Sequence, residues 1–173
     1  MRQLTTYRNL QVFLVIMTVI GMSFALFFLQ RYMGFSPCPL CIFQRIGLMV
    51  MGGFALIAAV FNPKSMVTRL LLWLGSLAGI GWAAIVAGRH VWLQHLPADQ
   101  VPSCGPGLDY WLDTLPMQQV LKEVFAGSGE CASIDWTFMG LSIPEQSLIL
   151  FSILILTHVL ILWRIVRPAR PVR

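Results

Sequence analysis

Four cysteines are the residues of this 173-residue chain best suited to redox chemistry. Cys38 and Cys41 form a C-x-x-C pair, and Cys104 and Cys131 follow further along. Two cysteines three apart can close a small, reducible disulfide. A helix N-terminus stabilises a thiolate through its dipole and its unpaired N–H groups. Because proline suits the first helical turn, we predict that a helix begins near Pro39, with Cys41 gaining most from the dipole.

Two polar side chains and a histidine are candidates for binding a ligand beside this pair. Arg45 follows Cys41 by four residues and therefore shares its helix face, where a guanidinium would stabilise a Cys41 thiolate or an anionic ligand. Gln44 lies next to it. His90 follows the third apolar span, at the same depth, and could donate a hydrogen bond or a proton. The alternatives are an Arg45 that snorkels to the headgroups and an ordinary interfacial histidine.

The cysteines and histidines could also serve functions other than redox chemistry. A tetrathiolate zinc site usually needs two close pairs, whereas Cys104 and Cys131 are 27 positions apart, so we predict no metal. Two structural disulfides are the stronger alternative, and four cysteines allow three pairings. We expect His95 to be solvated and His158 to hydrogen-bond between helices.

The composition is that of a membrane protein. Hydrophobic residues make up 57% of the chain and charged residues 11%, against about 25% charged in soluble domains. Four apolar stretches approach the ~20 residues that cross a bilayer as a helix. The first is too long for a signal peptide. We predict one all-α domain over 1–173, a four-helix transmembrane bundle with spans at about 10–29, 42–61, 70–87 and 147–163.

The charges indicate the orientation. Basic residues flank the spans, so the net charge of +5 reflects topology and not a nucleic-acid site. With four spans, both termini and the 62–69 loop share one side, which the positive-inside rule makes cytoplasmic. The non-cytoplasmic loops are then 30–41 and 88–146, and they hold all four cysteines. The flanking basic residues are Arg2, Arg8, Lys64, Arg69, Arg164, Arg167, Arg170 and Arg173.

The long loop 88–146 has two predicted parts. Residues 97–107 contain three prolines and two glycines and should be irregular around Cys104. Residues 115–125 place apolar side chains on one face and polar ones on another, which predicts a short amphipathic helix. Such a helix could lie in the headgroup plane or pack on other loop residues.

The combined motifs resemble the DsbB family, bacterial inner-membrane disulfide bond formation proteins. The resemblance is carried by residues 37–41 with Arg45, by the loop with Cys104, and by residues 127–132 running into 136–144. It covers nearly the whole chain. One departure is Gln146, where the family often has an aromatic residue.

The resemblance implies a quinone-dependent thiol oxidase. Its partner would be a periplasmic DsbA-like protein of thioredoxin fold, and its acceptor ubiquinone or menaquinone of the membrane pool. Cys104 would take the mixed disulfide, and Cys131 would then attack Cys38. Cys41 would remain as a thiolate beside the quinone, with Arg45 and His90 near it. A vitamin K epoxide reductase type of oxidoreductase is the alternative, although its C-x-x-C usually opens a late span.

Overall fold

A computed structural model describes residues 6–97, 99–103, 105, 108–134 and 136–166 of the chain. Most of this part is helical. In chain order the elements are α1 (Tyr7–Ser23), a π-helical segment (Phe24–Tyr32), α2 (Pro39–Phe61), α3 (Met66–Gln94), α4 (Leu108–Thr114), α5 (Met117–Ala126), α6 (Gly129–Ala132), β1 (Thr137–Phe138), β2 (Leu141–Ser142) and α7 (Ile143–Val166).

Four helices are long and apolar enough to cross a membrane, with mean hydropathies between 1.9 and 2.7 in their most apolar windows. The prediction of an all-α membrane protein with four spans is therefore confirmed. When α1 and the π-helical segment are counted as one span, each span is longer than the predicted apolar run, and α3 extends furthest beyond its own. Consequently His90 lies inside α3 and is buried, not at the end of the span.

The bundle is built around α2 and α3, with α1 packed on α2 and α7 on α3. The backbones of α2 and α3 come close at two glycines. A Cβ on Gly79 would lie 2.6 Å from Met51 N, and one on Gly47 would lie 2.7 Å from Gly79 O. Small residues at helix interfaces allow this approach, which brings the C-x-x-C end of α2 against the last turns of α3.

The ends of α2 follow from local sequence. Pro39 occupies the first turn, where its missing N–H leaves no hydrogen bond unmade, and Cys38 is the extended residue before it. Asn62 ends the helix in the left-handed conformation, with φ of 38°. Asparagine tolerates this region better than most residues, so the turn into α3 is tight, as the Asn62–Pro63 pair predicts.

The first span changes from α- to π-helix after Ser23, which the sequence does not predict. Along the π-helical segment, Phe24, Phe28 and Tyr32 stack on one another at centroid distances of 5.0 and 5.8 Å. Trp136 contacts Phe28 edge-on at 6.1 Å and ties the β1–β2 hairpin to the segment. π-helical turns are frequent at functional sites because they change the direction of side chains.

The amphipathic helix exists as α5, and its apolar side faces the bundle. Val120 and Val124 are buried in one cluster with Cys38 and Cys131, while Met117 is exposed. Gly127 then ends α5 with φ of 87°. The helix therefore covers the cysteines and leads directly into α6, which carries Cys131.

Candidate functional site

The C-x-x-C pair lies at the N-terminus of α2, as predicted. Cys38 is buried and Cys41 is half-buried, and both are free thiols. Their sulfurs are 3.2 Å apart, with the Cys38 thiol oriented to donate. Unpaired N–H groups of the first helical turn surround this position. The arrangement suits a pair that exchanges between dithiol and disulfide.

His90 brings its imidazole against both sulfurs of the pair. Nε2 lies 3.8 Å from Cys38 Sγ, and Nδ1 lies 3.9 Å from Cys41 Sγ. The side-chain nitrogen of Gln44 is 3.2 Å from Nδ1. If that amide donates to Nδ1, the neutral ring carries its proton on Nε2, facing Cys38. Gln44 is therefore a partner of the histidine, one turn below the pair on α2.

Cys131 joins the same cluster from α6. Its sulfur lies within 4.8 Å of both Cys38 Sγ and a ring nitrogen of His90. Ser128 Oγ is 3.7 Å from Cys131 Sγ, and the Cys131 N–H donates to the Ser128 carbonyl over 2.9 Å. The neighbouring Cys38 and the burial of the sulfur raise the pKa of the Cys131 thiol. The Cys131 sulfur thus lies within a short movement of Cys38.

Three contacts from α3 hold the chain around Cys131. Arg89 donates from Nε to Phe125 O over 2.8 Å and from Nη2 to Ala126 O over 3.1 Å, which satisfies the last carbonyls of α5. Gln94 donates to Ser133 O over 3.3 Å, just beyond α6. The polar end of α3 therefore fixes both ends of the segment that carries Cys131.

Arg45 is oriented by a residue that sequence reasoning missed. Its Nη1 donates to Gln30 Oε1 over 2.7 Å. Gln30 lies near the end of the π-helical segment, and its amide reaches Arg45 of α2 there. The only signal in the sequence was an amide near the end of an apolar span, at the depth of Arg45. Arg45 is therefore held within the protein and does not simply snorkel to the surface.

An apolar cavity of about 260 Å³ lies beside Cys41, between the first span, α2 and α7. Arg45 and Gln44 are among the few polar side chains in its wall, with Gln146 and Ser147 opposite. The cavity is larger than the ~150 Å³ space that takes up benzene in an engineered protein core. Its remaining lining consists of Gly21, Met22, Phe24, Ala25, Leu29, Leu48, Ile143, Leu150 and Phe151.

A second cavity of about 310 Å³ adjoins the first and is more polar. Cys38 and His90 line this cavity but not the first, while Cys41 and Arg45 line both. Glu130 and Trp136, from the segment beyond α5, form part of its wall. The C-x-x-C pair therefore separates two spaces, one apolar beside Cys41 and one more polar beside Cys38.

The structure brings together Cys38, Cys41, Cys131 and His90, and it places Gln44 and Arg45 within one or two turns of them. Cys104 lies outside the described residues.

The other two histidines behave as the sequence predicts. The His95 side chain is 66% exposed, with its Nε2 3.8 Å from a Glu145 carboxylate oxygen. His158 is buried in α7, and its Nε2 is 2.9 Å from Ser76 Oγ of α3.

Comparison with protein families gives one match that covers most of the chain. The family model described as "Disulfide bond formation protein DsbB" matches residues 7–161. The matched range includes every residue of the cysteine cluster and both cavities.

Curated relatives carry the same name. A "Disulfide bond formation protein B" of Psychrobacter cryohalolentis is 95% identical over 171 residues, which is 99% of this chain and 97% of the relative. The protein of that name from Acinetobacter baumannii is 56% identical, over 94% of this chain and 92% of its own length. The one from Marinobacter nauticus is 43% identical, over 90% and 92%.

Proposed function

The chain belongs to the DsbB family of disulfide bond formation proteins, and from this premise we propose that it is a quinone-dependent thiol oxidase of the bacterial inner membrane. It reoxidises a periplasmic DsbA-type dithiol protein through Cys104 and Cys131, and then through Cys38 and Cys41. The observation that carries the proposal is the convergence of Cys131 on Cys38, within 4.8 Å, beside an apolar cavity lined by Cys41.

The partner's thiolate attacks a Cys104–Cys131 disulfide at Cys104, so that Cys131 leaves as a thiolate. Cys131 then attacks Cys38 of the Cys38–Cys41 disulfide, and Cys41 leaves in turn. The partner's second thiolate then attacks the mixed disulfide, which releases the oxidised partner and frees Cys104. Cys104 attacks Cys131 in turn, which restores the Cys104–Cys131 disulfide and releases Cys38, leaving the Cys38–Cys41 dithiol. All of these steps are thiol–disulfide exchanges, which need the attacking sulfur close to the sulfur that it attacks. The closeness of the Cys131 and Cys38 sulfurs supports this order, since Cys131 reaches Cys38 across a short gap.

His90 assists the exchange at Cys38. Its ring lies 3.8 Å from Cys38 Sγ, so a proton can pass between the imidazole and the sulfur as the sulfur changes between thiol and disulfide. Gln44 keeps the ring in this orientation through Nδ1. The sequence analysis assigned both His90 and Gln44 to the cofactor. Gln44 lines the apolar cavity, whereas His90 lines only the second cavity and contacts the thiols, so we propose for His90 a role at the cysteines instead.

The quinone site is proposed at the apolar cavity. Its size and apolar lining fit a six-membered ring, and Cys41 and Arg45 supply a reactive sulfur and a fixed positive charge in its wall. A quinone there, ubiquinone or menaquinone, would accept the two electrons and two protons released when the Cys38–Cys41 dithiol closes. Arg45, held by Gln30, stabilises the Cys41 thiolate and any negative charge that develops beside it.

The proposed location is the inner membrane, with both termini in the cytoplasm and the cysteines facing the periplasm. The basic residues that flank the spans at the ends opposite the cysteines support this orientation. A disulfide relay needs an oxidising compartment, which the periplasm provides. The DsbA-type partner would then meet residues 97–107, the Pro/Gly-rich stretch that contains Cys104.

The test is quinone reduction by the purified full chain in detergent. Reduced DsbA-type protein and a short-chain ubiquinone or menaquinone are added, and the quinone absorbance is followed. Cys41→Ser should abolish turnover, while the control Ser152→Ala, on the exposed side of α7, should leave it unchanged. Turnover that survives Cys41→Ser, or a Cys38–Cys41 disulfide that resists mild reductant, would contradict the proposal and favour structural disulfides.

A further inference from the structure

Three buried donors of metal-binding type meet at one point. The ligand atoms of Cys38, His90 and Cys131 lie within 4.8 Å of one another, and the three residues are 8%, 4% and 1% exposed. They come from separate segments, namely the start of α2, the end of α3 and α6. Thiolate sulfur and imidazole nitrogen are the ligands that zinc and similar soft divalent cations prefer. We propose that the reduced protein binds one Zn²⁺ ion at Cys38, His90 and Cys131.

The spacing of the donors fits zinc. With Zn–S near 2.3 Å and Zn–N near 2.0 Å, ligand atoms of a tetrahedral site lie about 3.5–3.8 Å apart. Cys38 Sγ and His90 Nε2 are already 3.8 Å apart. The distances from Cys131 Sγ to the other two ligand atoms, which are within 4.8 Å, need to shorten by up to about 1.3 Å to close the site. This site differs from the tetrathiolate site that the sequence argued against, because its protein ligands are two cysteines and His90.

Cys41 is left outside the ligand set. Its sulfur faces Nδ1 of His90, at 3.9 Å, whereas Cys38 faces Nε2. One imidazole binds one ion through one nitrogen, so the ion shared with Cys38 lies on the Nε2 side. Cys38 and His90 both line the second cavity, which leaves room for a solvent molecule as the fourth ligand.

The surroundings support a bound cation. Zinc-bound histidines commonly use their other nitrogen for a hydrogen bond, and Gln44 lies 3.2 Å from Nδ1. Its amide can turn to accept the Nδ1 proton when Nε2 holds the ion. Ser128 Oγ, 3.7 Å from Cys131 Sγ, can donate to a thiolate there. When Zn²⁺ binds, the two thiols release two protons to solvent and the neutral imidazole releases none, so the protons are accounted for.

The site exists only in the reduced chain. A Cys38–Cys41 disulfide removes one of the two thiolate ligands, and a Cys38–Cys131 disulfide removes both. Zinc and oxidation therefore compete for the same sulfur, and zinc should hold the chain in its dithiol form. This consequence for turnover rests on the proposed thiol oxidase function, whereas metal binding itself does not.

The experiment is a titration of the full chain in detergent, reduced with a phosphine under anaerobic conditions and freed of metal. Co²⁺ serves as the spectroscopic probe, and Zn²⁺ displaces it. We expect one Co²⁺ per chain with sulfur-to-cobalt charge transfer, and two protons released per Zn²⁺. Cys131→Ser and His90→Ala should weaken binding at least tenfold, whereas His90→Cys should retain it. The control His95→Ala, on an exposed side chain of the same region, should bind as the parent does.

Three results would overturn the proposal. The first is equal binding by the oxidised chain. The second is binding that survives Cys131→Ser but is lost in Cys41→Ser, which would assign the metal to the C-x-x-C pair. The third is the same loss in His95→Ala as in His90→Ala. Circular dichroism of each variant checks its fold. Quinone reduction by the metal-free parent is measured in parallel, so a failed metal site and a failed oxidase are told apart.

Discussion

At the scale of single residues, the Arg45 side chain acquires its role from Gln30. An arginine near the start of an apolar helix can reach the headgroups, and position alone does not tell whether it does so. The 2.7 Å bond to Gln30 Oε1 keeps the guanidinium in the wall of the apolar cavity. A hydrogen bond to a charged group is worth about 1.5–3 kcal/mol, and Arg45 is half-buried, so the lower end applies.

Removing this acceptor should therefore weaken quinone-linked turnover by about tenfold. The variant Gln30→Met keeps the length and removes the acceptor, and we expect KM for the quinone to rise more than kcat falls. Arg45→Ala should have a larger effect in the same direction. Gln118→Met, on the exposed face of α5, is the matched control. Equal kinetics for Gln30→Met and the parent would show that Gln30 does not position Arg45.

Cys131 is expected to show a distinct pH dependence in the reduced chain. Its thiol pKa is raised, chiefly by the adjacent Cys38 and by burial, above the ordinary value of about 8.5. The folded state therefore keeps this proton at pH values where the unfolded chain loses it. The stabilising contribution is complete below about pH 8.5 and is lost as the pH rises further.

The measurement is a titration of the Cys131 ¹³Cβ chemical shift in reduced, selectively labelled protein. The shift should stay that of a thiol through pH 9. The variant Cys38→Ala removes the largest cause of the raised Cys131 pKa, so the change from thiol to thiolate should occur at lower pH. A thiolate shift at pH 8 in the parent would contradict the raised pKa.

At the scale of elements, α3 acts as a clamp for the segment that carries Cys131. Arg89 binds the last carbonyls of α5, and Gly127 follows with a positive φ. In Arg89→Leu these carbonyls lose their partner, and we expect exchange between Cys131 and Cys38 to slow about fivefold, since a partly exposed charged bond is worth about 1 kcal/mol.

Trapping the Cys38–Cys131 disulfide by rapid acid quench and mass spectrometry measures this step. Lys122→Leu removes an exposed cation from α5 and serves as the control. The KM for quinone should be unchanged in Arg89→Leu, because Arg89 lies outside the apolar cavity. A slower exchange in both variants would indicate a general effect of charge and not the clamp.

The close contact of α2 and α3 leads to a stability prediction. A Cβ on Gly79 would lie 2.6 Å from Met51 N and 2.8 Å from Gly47 O, which are backbone atoms that cannot turn aside. Gly79→Ala should therefore destabilise the bundle by about 1–3 kcal/mol. On Gly81 a Cβ meets nothing within 4 Å, so Gly81→Ala should be neutral or slightly stabilising. Thermal unfolding in detergent compares the two, and equal melting temperatures would contradict this account.

The elements were predictable from the sequence to different degrees. The four spans follow from apolar length, and the start of α2 follows from Pro39, because these depend on local chemistry. The π-helical segment and the extra turns of α3 depend on partners distant in sequence. Phe28 contacts Trp136 edge-on, and Arg89 donates a hydrogen bond to α5. Such contacts have no local signal, so sequence reasoning ended α3 before His90.

At the scale of the whole molecule, the site is assembled from three distant parts of the chain. Sequence reasoning named Cys38, Cys41, Cys131 and His90, but only the family resemblance paired Cys131 with Cys38. Residue spacing alone left three pairings open. The packing of α5 on the bundle brings the two sulfurs together, and helical periodicity shows which face of α5 is apolar but not which surface it covers.

The orientation of the whole molecule can be tested independently of its chemistry. The turn between α2 and α3 carries Lys64, whereas α4 and α5, at the opposite end of the bundle, carry acidic side chains such as Asp113. Loops rich in Lys and Arg stay on the cytoplasmic side of the membrane, so this turn should be cytoplasmic and α4 periplasmic.

The experiment introduces a single cysteine, by Lys64→Cys or Asp113→Cys, into a chain whose own four cysteines are replaced by serine. In intact spheroplasts, a membrane-impermeant maleimide should label only the Asp113→Cys chain, and permeabilisation should expose both. Labelling of Lys64→Cys in intact spheroplasts would show that the orientation is the reverse of the one proposed. The cysteine cluster would then lie in the reducing cytoplasm, where a disulfide relay to a periplasmic partner could not operate.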